Sequence, residues 1–260
     1  MIHLIVLPAA LSVLIGCSTP PQLPAAPTTI PLAGVPVKPA LFSAGQQGAL
    51  PAGWGEMILL RTKAPTSYRV VADGNQTVLH AKAAASASGL MYKLERDVAE
   101  TPYLHWRWKV PQLIKSADNA HQGKEDSPVR IVLAFDGDKE SLPFKDQMTF
   151  EMARTLTGQD MPYATLMYIW ENRLPVGTVI PNSRTGRVQM IVAASGADGL
   201  GEWRSFDRNI AEDYEKAFGE KPGKLIGVGV LTDTDNTGET IEAWYGDIRL
   251  LPLPLQASNP

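Results

Sequence analysis

The sequence predicts a mainly β fold: an antiparallel two-sheet, jelly-roll-like sandwich with two inserted helices. Two observations support this prediction. Apolar and polar residues alternate with period 2 in many short segments, and two segments show helical spacing. Clusters of Gly, Pro, Asn and Asp separate many of the alternating segments, as turns between strands require. Many short strands with few helices are typical of two packed β-sheets.

The clearest strand signal lies in residues 103–110. Leu104, Trp106 and Trp108 fall on one side of an extended chain, and the residues between them are polar or charged. This alternation is the pattern of a strand with one face on an apolar core and the other toward solvent. By the same reasoning we predict strands at 67–72, 77–83, 90–94, 130–136, 165–170, 187–193, 226–232 and 241–250.

Two segments predict helices. One follows Asn209, a residue suited to an N-cap, and ends at Gly219; its apolar stripe is Ile210, Tyr214, Ala217 and Phe218. The other covers residues 146–157 and ends at Gly158, with an apolar stripe formed by Met148, Met152 and Leu156. We expect both stripes to pack against the sheets.

The start of the chain predicts export and lipid anchoring. Residues 2–15 are almost wholly apolar, a length that fits the apolar region of a signal peptide better than a membrane span. They lead into Leu14-Ile15-Gly16-Cys17, which resembles the bacterial lipobox, where the peptidase cuts before a lipidated cysteine. Cys17 is the single cysteine of the chain, so the mature domain has no disulfide.

We predict four parts in the chain. Residues 1–16 are a lipoprotein signal peptide, and residues 17–40 are a proline-rich tether that cannot bury a core. Residues 41–251 form a single β-sandwich domain, and residues 252–260 are a tail. Ser18, directly after the cysteine, matches the sorting preference for the outer membrane. The expected location is therefore the cell envelope, on the outer membrane facing the periplasm.

Composition excludes several classes of function. The net charge is −3 with both signs interspersed, so no basic stripe predicts nucleic-acid binding. The sequence contains no Gly-x-Ser-x-Gly elbow, no His-Glu-x-x-His zinc motif and no phosphate-binding glycine loop. Four histidines in the whole chain give little support for a zinc site.

Several motifs together resemble one bacterial family of exported proteins, catalogued as domain-of-unknown-function family 3047. They are LHWRWKV (104–110), LMYIWEN (166–172), RNIAEDY (208–214), AFG (217–219), TDTDNTG (232–238) and YGDI (245–248). The resemblance spans nearly the whole mature domain. It implies a jelly-roll sandwich similar to those of carbohydrate-binding modules, and it supplies no activity.

The acidic loop 233–238 is a candidate metal site. Asp233 and Asp235 are spaced like the first ligands of a calcium loop, and Asp247 on the last predicted strand is a candidate third ligand for structural calcium. Trp244 stands where a helical calcium motif would have its bidentate glutamate, so the loop is not an EF-hand. The alternative is that Asp and Asn cap turns through their own backbone.

Aromatic and cationic residues are candidates for ligand binding. Sugars stack their apolar C–H faces on aromatic rings, which makes candidates of Trp54, Trp170, Trp203 and Trp244. Arg107 shares a strand face with Lys109, and Arg130 lies on the polar side of another strand. If those strands are neighbours, they form a basic stripe suited to an anionic glycan, to which Arg208 could add a guanidinium.

Three functions remain open. We favour a lipid-anchored, non-catalytic module that binds a glycan or another envelope component. One alternative is a carbohydrate-active hydrolase or lyase, with catalytic candidates Glu171, Asp126, Asp207 and Arg130, because paired carboxylates hydrolyse glycosides. The other is a structural envelope lipoprotein that acts through protein contacts.

Overall fold

The computed structural model describes residues 39, 41–50 and 52–255, and these fold into two β-sheets that pack face to face. The strands are β1 (Trp54–Ile58), β2 (Ser67–Asp73), β3 (Gln76–Ala84), β4 (Ala87–Arg96), β5 (Tyr103–Lys109), β6 (Ser127–Phe135), β7 (Ala164–Glu171), β8 (Val179–Pro181), β9 (Val188–Ser195), β10 (Trp203–Asn209), β11 (Leu225–Asp233), β12 (Thr240–Tyr245) and β13 (Arg249–Leu251). The helices are α1 (Phe144–Thr157) and α2 (Ile210–Phe218), with short 3-10 helices at Phe42–Ala44 and Lys139–Ser141. The predicted signal peptide, Cys17 and nearly all of the tether lie outside the described residues.

The mainly β, two-sheet, jelly-roll-like sandwich with two inserted helices is confirmed. Among the described strands, seven form one sheet in the order β1-β4-β11-β6-β7-β9-β8. The other sheet has the order β10-β5-β12-β3-β2, and β13 also pairs with β5. The pairings are antiparallel, except that β7 and β9 run parallel. No helix in the described part of the chain is long and apolar enough to cross a bilayer.

The period-2 patterns produce the core between the sheets. Leu104, Trp106 and Trp108 point inward from β5 and are fully buried. Ile131 and Leu133 of β6 face the same core from the opposite sheet. Burial of apolar surface contributes about 25 cal/mol per Å², so this interior supplies the main stabilising term in a domain whose described part contains no disulfide.

The predicted strands are present. Three further strands occur, and one predicted strand is divided in two. β1, β8 and β10 occur where no strand was predicted, and Trp203 begins β10. The predicted strand 241–250 is divided into β12 and β13. The division begins at Gly246, whose backbone N–H donates to the carbonyl of Arg107 over 2.9 Å.

Helix α2 follows the prediction. The side chain of Asn209 accepts hydrogen bonds from the backbone N–H groups of the first turn, and Gly219 ends the helix with φ of 71°. That left-handed conformation favours glycine, since it has no Cβ. Ile210 and Tyr214 are buried against the core, as the apolar stripe predicts.

The expected packing face of α1 is wrong. Met148, Met152 and Leu156 are 53%, 61% and 53% exposed, and Phe144 on the same stripe is 76% exposed. The buried residue of α1 is Phe150. It lies two positions from both methionines, about 200° around a helix with 3.6 residues per turn. The helix therefore packs through the face opposite to its longest apolar stripe.

Candidate functional site

A row of five paired residues crosses the outer face of the six-stranded sheet. Trp203 of β10 lies opposite Lys109 of β5, which lies opposite Trp244 of β12. Trp244 lies opposite His80 of β3, and His80 lies opposite Arg69 of β2. We call these residues the cross-strand row. Each stands at an outward position because its inward neighbours fill the core.

Aromatic and cationic side chains are in contact along the cross-strand row. The Nζ atom of Lys109 lies 5.4 Å from the ring centre of Trp203 and 4.9 Å from that of Trp244. The rings of Trp244 and His80 have centres 5.0 Å apart. The two tryptophans are half-buried and stand two strands apart, a separation of about 10 Å at the usual strand spacing.

Asp73 organises one end of the cross-strand row. Its carboxylate accepts hydrogen bonds from Lys109 Nζ, 2.7 Å from each oxygen, and from Trp203 Nε1 over 2.8 Å. The hydrogen bond from Lys109 lowers the pKa of Asp73, outweighing the opposing effect of burial. The carboxylate therefore stays charged and holds both the ammonium group and the indole ring in place.

Glu242 organises the other end of the cross-strand row. Its carboxylate lies 3.0 Å from Lys82 Nζ and 3.4 Å from His80 Nε2. The hydrogen bond from Lys82 lowers the pKa of Glu242. Burial lowers the pKa of His80, against the smaller effect of Glu242. His80 is therefore favoured in its neutral form beside the ring of Trp244.

A second polar group lies at the end of β11. Asp126, Asp233 and Asp235 each offer a carboxylate oxygen, and these oxygens lie within 4.8 Å of one another. Arg130 pairs with Asp233 through Nε and Nη2, at 3.1 Å each, and Lys63 pairs with Asp235 at 3.2 Å. Burial raises the pKa of Asp233 to about 6, although Arg130 acts in the opposite direction.

These three carboxylates do not fit a calcium ion. Asp126 accepts two backbone N–H groups and one side-chain amide from Asn236 and Thr237, at 2.7 to 3.2 Å. Asp233 and Asp235 are already paired with the cations of Arg130 and Lys63. Calcium requires six to eight oxygen ligands that are free to coordinate it. The group is better described as an internal ion-pair network that holds the loop 234–238, in line with the turn-capping alternative.

The expected third metal ligand, Asp247, lies outside this group. Its carboxylate accepts hydrogen bonds from the backbone N–H and the hydroxyl of Ser43, at 2.9 and 2.6 Å, and lies 3.5 Å from Arg249. It thus attaches the segment before β1 to the turn after β12. Asp126, from the loop before β6, takes the place beside Asp233 and Asp235.

The structure does not form the expected basic stripe. Arg107 lies on β5 of the six-stranded sheet, whereas Arg130 lies on β6 of the seven-stranded sheet. Arg130 is buried and paired with Asp233, so it cannot reach a ligand on the outer face that carries Arg107. Arg208 is also engaged, since it forms a two-point ion pair with Asp213.

Two of the candidate tryptophans are buried. Trp170 is fully enclosed in the core and donates its indole N–H to the carbonyl of Gly196 over 3.0 Å, so its ring is not available for stacking. Trp54 is buried beside Phe42, with ring centres 4.8 Å apart. Trp203 and Trp244 remain partly accessible, and both belong to the cross-strand row.

The fold does not bring the four catalytic candidates together at one site. Glu171 is buried and caps a turn, because its carboxylate accepts the backbone N–H groups of Arg173 and Leu174. Asp207 lies on the outer face of the six-stranded sheet, 3.1 Å from Nδ1 of His105. Asp126 and Arg130 belong to the ion-pair network. A cleft of about 500 Å³ beside β1 is lined by none of these four candidates.

Sequence patterns missed Asp73 and His80 as partners of the two tryptophans, and Arg69 as the last residue of the cross-strand row. Period-2 alternation places each of them on the polar side of its strand. That signal was available, but strand order and register were not. Three strands far apart in the chain meet at Trp244, and no local pattern shows which residues become neighbours.

Comparison with known proteins gives a family and several distant structural similarities. The family model described as "Protein of unknown function (DUF3047)" matches residues 52–249. No curated protein sequence matches the chain.

Three solved structures are distantly similar to this chain. The family 11 carbohydrate-binding module of the cellulosomal cellulase Lic26A-Cel5E of Clostridium thermocellum has a TM-score of 0.41 and 9% identity, over 87% of this chain and 99% of that one. The glycoside hydrolase domain of Endo-D from Streptococcus pneumoniae R6 has a TM-score of 0.34 and 9% identity, over 77% of this chain and 21% of that one. The cellulose induced protein Cip1 has a TM-score of 0.34 and 12% identity, over 79% of this chain and 94% of that one. At these scores the function has to be argued from the chain's own residues.

Proposed function

We propose that this chain, which belongs to the DUF3047 family, binds a glycan without transforming it and does so on the cross-strand row. One observation carries the proposal. Two half-buried tryptophans stand two strands apart on an open sheet face, with Lys109 between them and Asp73 holding that lysine. This combination of fixed aromatic rings and charged hydrogen-bonding groups is the kind of surface that saccharides require.

The proposed contacts follow from the chemistry of sugars. A pyranose ring has an apolar face of C–H groups, which stacks on an indole, and a rim of hydroxyls that need hydrogen-bond partners. Trp203 and Trp244 supply two stacking positions, about 10 Å apart. Lys109, Asp73 and Glu242 supply donors and acceptors beside them. A tryptophan loses little conformational entropy on binding, and the bond from Trp203 to Asp73 reduces that loss further.

Binding is favoured over hydrolysis because the candidate carboxylates are engaged in hydrogen bonds and ion pairs within the protein. Glu171 caps a turn, Asp126 holds the loop 234–238, and Asp207 pairs with His105. Glycoside hydrolysis requires two carboxylates that flank one bond. The described residues place neither Glu171 nor Asp126 on the face that carries the tryptophans.

Calorimetric titration with oligosaccharides from cell walls and exopolysaccharides tests the proposal. We expect Trp203→Ala and Trp244→Ala each to weaken binding by about tenfold or more, as for aromatic residues at the centre of an interface. Phe144→Ala is the matched control, since it removes an exposed aromatic ring from α1. The proposal fails if no oligosaccharide binds, or if the control weakens binding as much. Release of new reducing ends or unsaturated products would favour the hydrolase or lyase alternative.

We also propose that the protein acts at the cell envelope, anchored by lipid on Cys17 to the outer membrane and facing the periplasm. Support comes from the lipobox-like sequence before Cys17 and from Ser18 after it. Cys17→Ala is expected to abolish incorporation of radiolabelled fatty acid and to release the protein from the membrane fraction. Labelling that persists in this variant would disprove the assignment.

A further inference from the structure

We infer that the glycan carries a carboxylate and that Arg107 is the residue that binds it. This inference rests on the proposed glycan site and names the class of its ligand: an acidic polysaccharide built from uronic acids. It depends on the position of Arg107, on how that side chain is held, and on the charge that surrounds it.

Arg107 lies directly beside the cross-strand row. Its Cζ atom is 4.7 Å from the ring centre of Trp203, so guanidinium and indole are in contact. Trp203 is therefore flanked by both outward cations of β5, Arg107 and Lys109. A sugar stacked near Trp203 brings its substituents within reach of the guanidinium, whose planar fork of N–H groups matches the geometry of a carboxylate.

The fold holds the Arg107 side chain in place. A Cβ atom built on Gly246 would lie 2.4 to 3.0 Å from the Nε, Cγ and Cδ atoms of Arg107, so the arginine stem lies directly over that glycine. The guanidinium donates one hydrogen bond to the side-chain carbonyl of Gln76. Arg107 thus lies over Gly246 and against Trp203, and a ligand meets a guanidinium that is already ordered.

Among the described residues, no carboxylate forms an ion pair with Arg107. Asp73 is close enough for Arg107 to influence it electrostatically, but its ion pair is with Lys109. Both of its oxygens accept hydrogen bonds from Lys109, and one also accepts from Trp203. The hydrogen bond recorded for the Arg107 side chain goes to the neutral amide of Gln76. Because a guanidinium has five N–H donors, it retains donors and net charge for an incoming carboxylate.

Lys93 of β4 offers a control for charge alone. It is an exposed cation on the seven-stranded sheet, away from the cross-strand row. Lys93→Gln removes one positive charge, as Arg107→Gln does, and leaves the residues of the proposed site in place. Arg107→Lys is the conservative variant, which keeps the charge and loses the two-point geometry.

The experiment compares glycans that differ only in charge. Oligogalacturonates and oligoglucuronates are titrated into the mature protein as free acids and as methyl esters. We expect the wild type to bind a free acid about tenfold more tightly than its ester. Arg107→Gln should bring the two affinities together, Arg107→Lys should retain part of the preference, and Lys93→Gln should leave it intact. Circular dichroism confirms that each variant is folded.

The outcomes distinguish a failure of this inference from a failure of the proposed glycan binding. If acid and ester bind equally well to the wild type, or if Arg107→Gln leaves the preference unchanged, the inference is overturned while glycan binding stands. If none of these probes binds, the inference is overturned, and the titrations with cell-wall and exopolysaccharide fragments decide whether glycan binding stands. If Lys93→Gln abolishes the preference as fully as Arg107→Gln does, general surface charge accounts for it and Arg107 has no specific role.

Discussion

Replacing Asp233 by Asn should remove a loss of stability that the wild-type domain undergoes as the pH rises from 4 to 7. Burial raises the pKa of Asp233 from its ordinary 3.8 to about 6. Well below pH 3.8 the carboxyl is protonated in both the folded and the unfolded chain. As the pH rises through 6, the folded protein must ionise a group that the unfolded chain ionises more easily. The stability associated with the protonated form is lost over this interval.

The expected size follows from the same pKa values. One pKa unit corresponds to about 1.4 kcal/mol, so the change from 3.8 to about 6 lowers the free energy of unfolding by about 3 kcal/mol in total. About 2 kcal/mol of this falls between pH 4 and pH 7, because the unfolded carboxyl is already partly ionised at pH 4. Asparagine has no charge to ionise, and Asp233→Asn should lack this decline. The variant also leaves Arg130 without its carboxylate, which costs stability at every pH, so the prediction concerns the change with pH and not the absolute stability.

Urea unfolding followed by tryptophan fluorescence at pH 4, 5, 6 and 7 measures the effect. The stability of Asp233→Asn relative to wild type should rise by about 2 kcal/mol across the series. Asp160→Asn, at a side chain that is 73% exposed, reports the effect of deleting one surface carboxylate. A relative stability that stays constant or falls with pH would refute the reasoning, because it would mean that pairing with Arg130 outweighs desolvation.

Three further predictions concern the scaffold and use urea unfolding at pH 7. Phe150→Ala should lower the free energy of unfolding by about 3 kcal/mol and Met152→Ala by less than about 0.5 kcal/mol, since Phe150 is buried and Met152 is exposed. Equal losses would contradict the assigned packing face. Tyr245→Phe should cost about 1–3 kcal/mol, because the buried hydroxyl donates to the carbonyl of Leu231; no loss would mean that this bond is not needed. Asn209→Ala should cost about 1 kcal/mol through loss of the α2 cap, whereas Asn209→Asp should retain most of it.

The strands were predictable because burial imposes a local rule. In β5 every second residue enters the core, and period 2 is visible from seven residues alone. β6 is buried along its whole length, yet it was still recognised from its apolar residues. β8 has three residues, which is too short for a period to appear. β1 and β10 carry glycine or charged residues along edges of the sheets and lack a clear apolar face.

Helix α1 shows where local patterns mislead. Its methionines recur at the spacing of a packing face, but the residue that reaches the interior is Phe150. Spacing shows which residues share a side of a helix. It does not show which side the rest of the protein covers.

The cross-strand row and its neighbour Arg107 were only partly predictable for a related reason. Trp203 and Arg107 could be chosen by residue type, but the partners that fix them, Asp73 and Gly246, come from strands or turns distant in the chain. Arg130 was chosen on the same grounds and is buried in an ion pair. Long-range register determines which polar residues become a surface and which become internal bonds.

The position of β11 has a consequence for how this chain folds. β11 lies in the seven-stranded sheet between β4 and β6, although these strands precede it by many residues. As synthesis proceeds from the N-terminus, β4 and β6 emerge long before the strand that joins them, and the hydrogen-bonding edges that will hold β11 stay unpaired. Folding must wait for the C-terminal part of the chain, which implies slow folding and a long-lived unfolded chain.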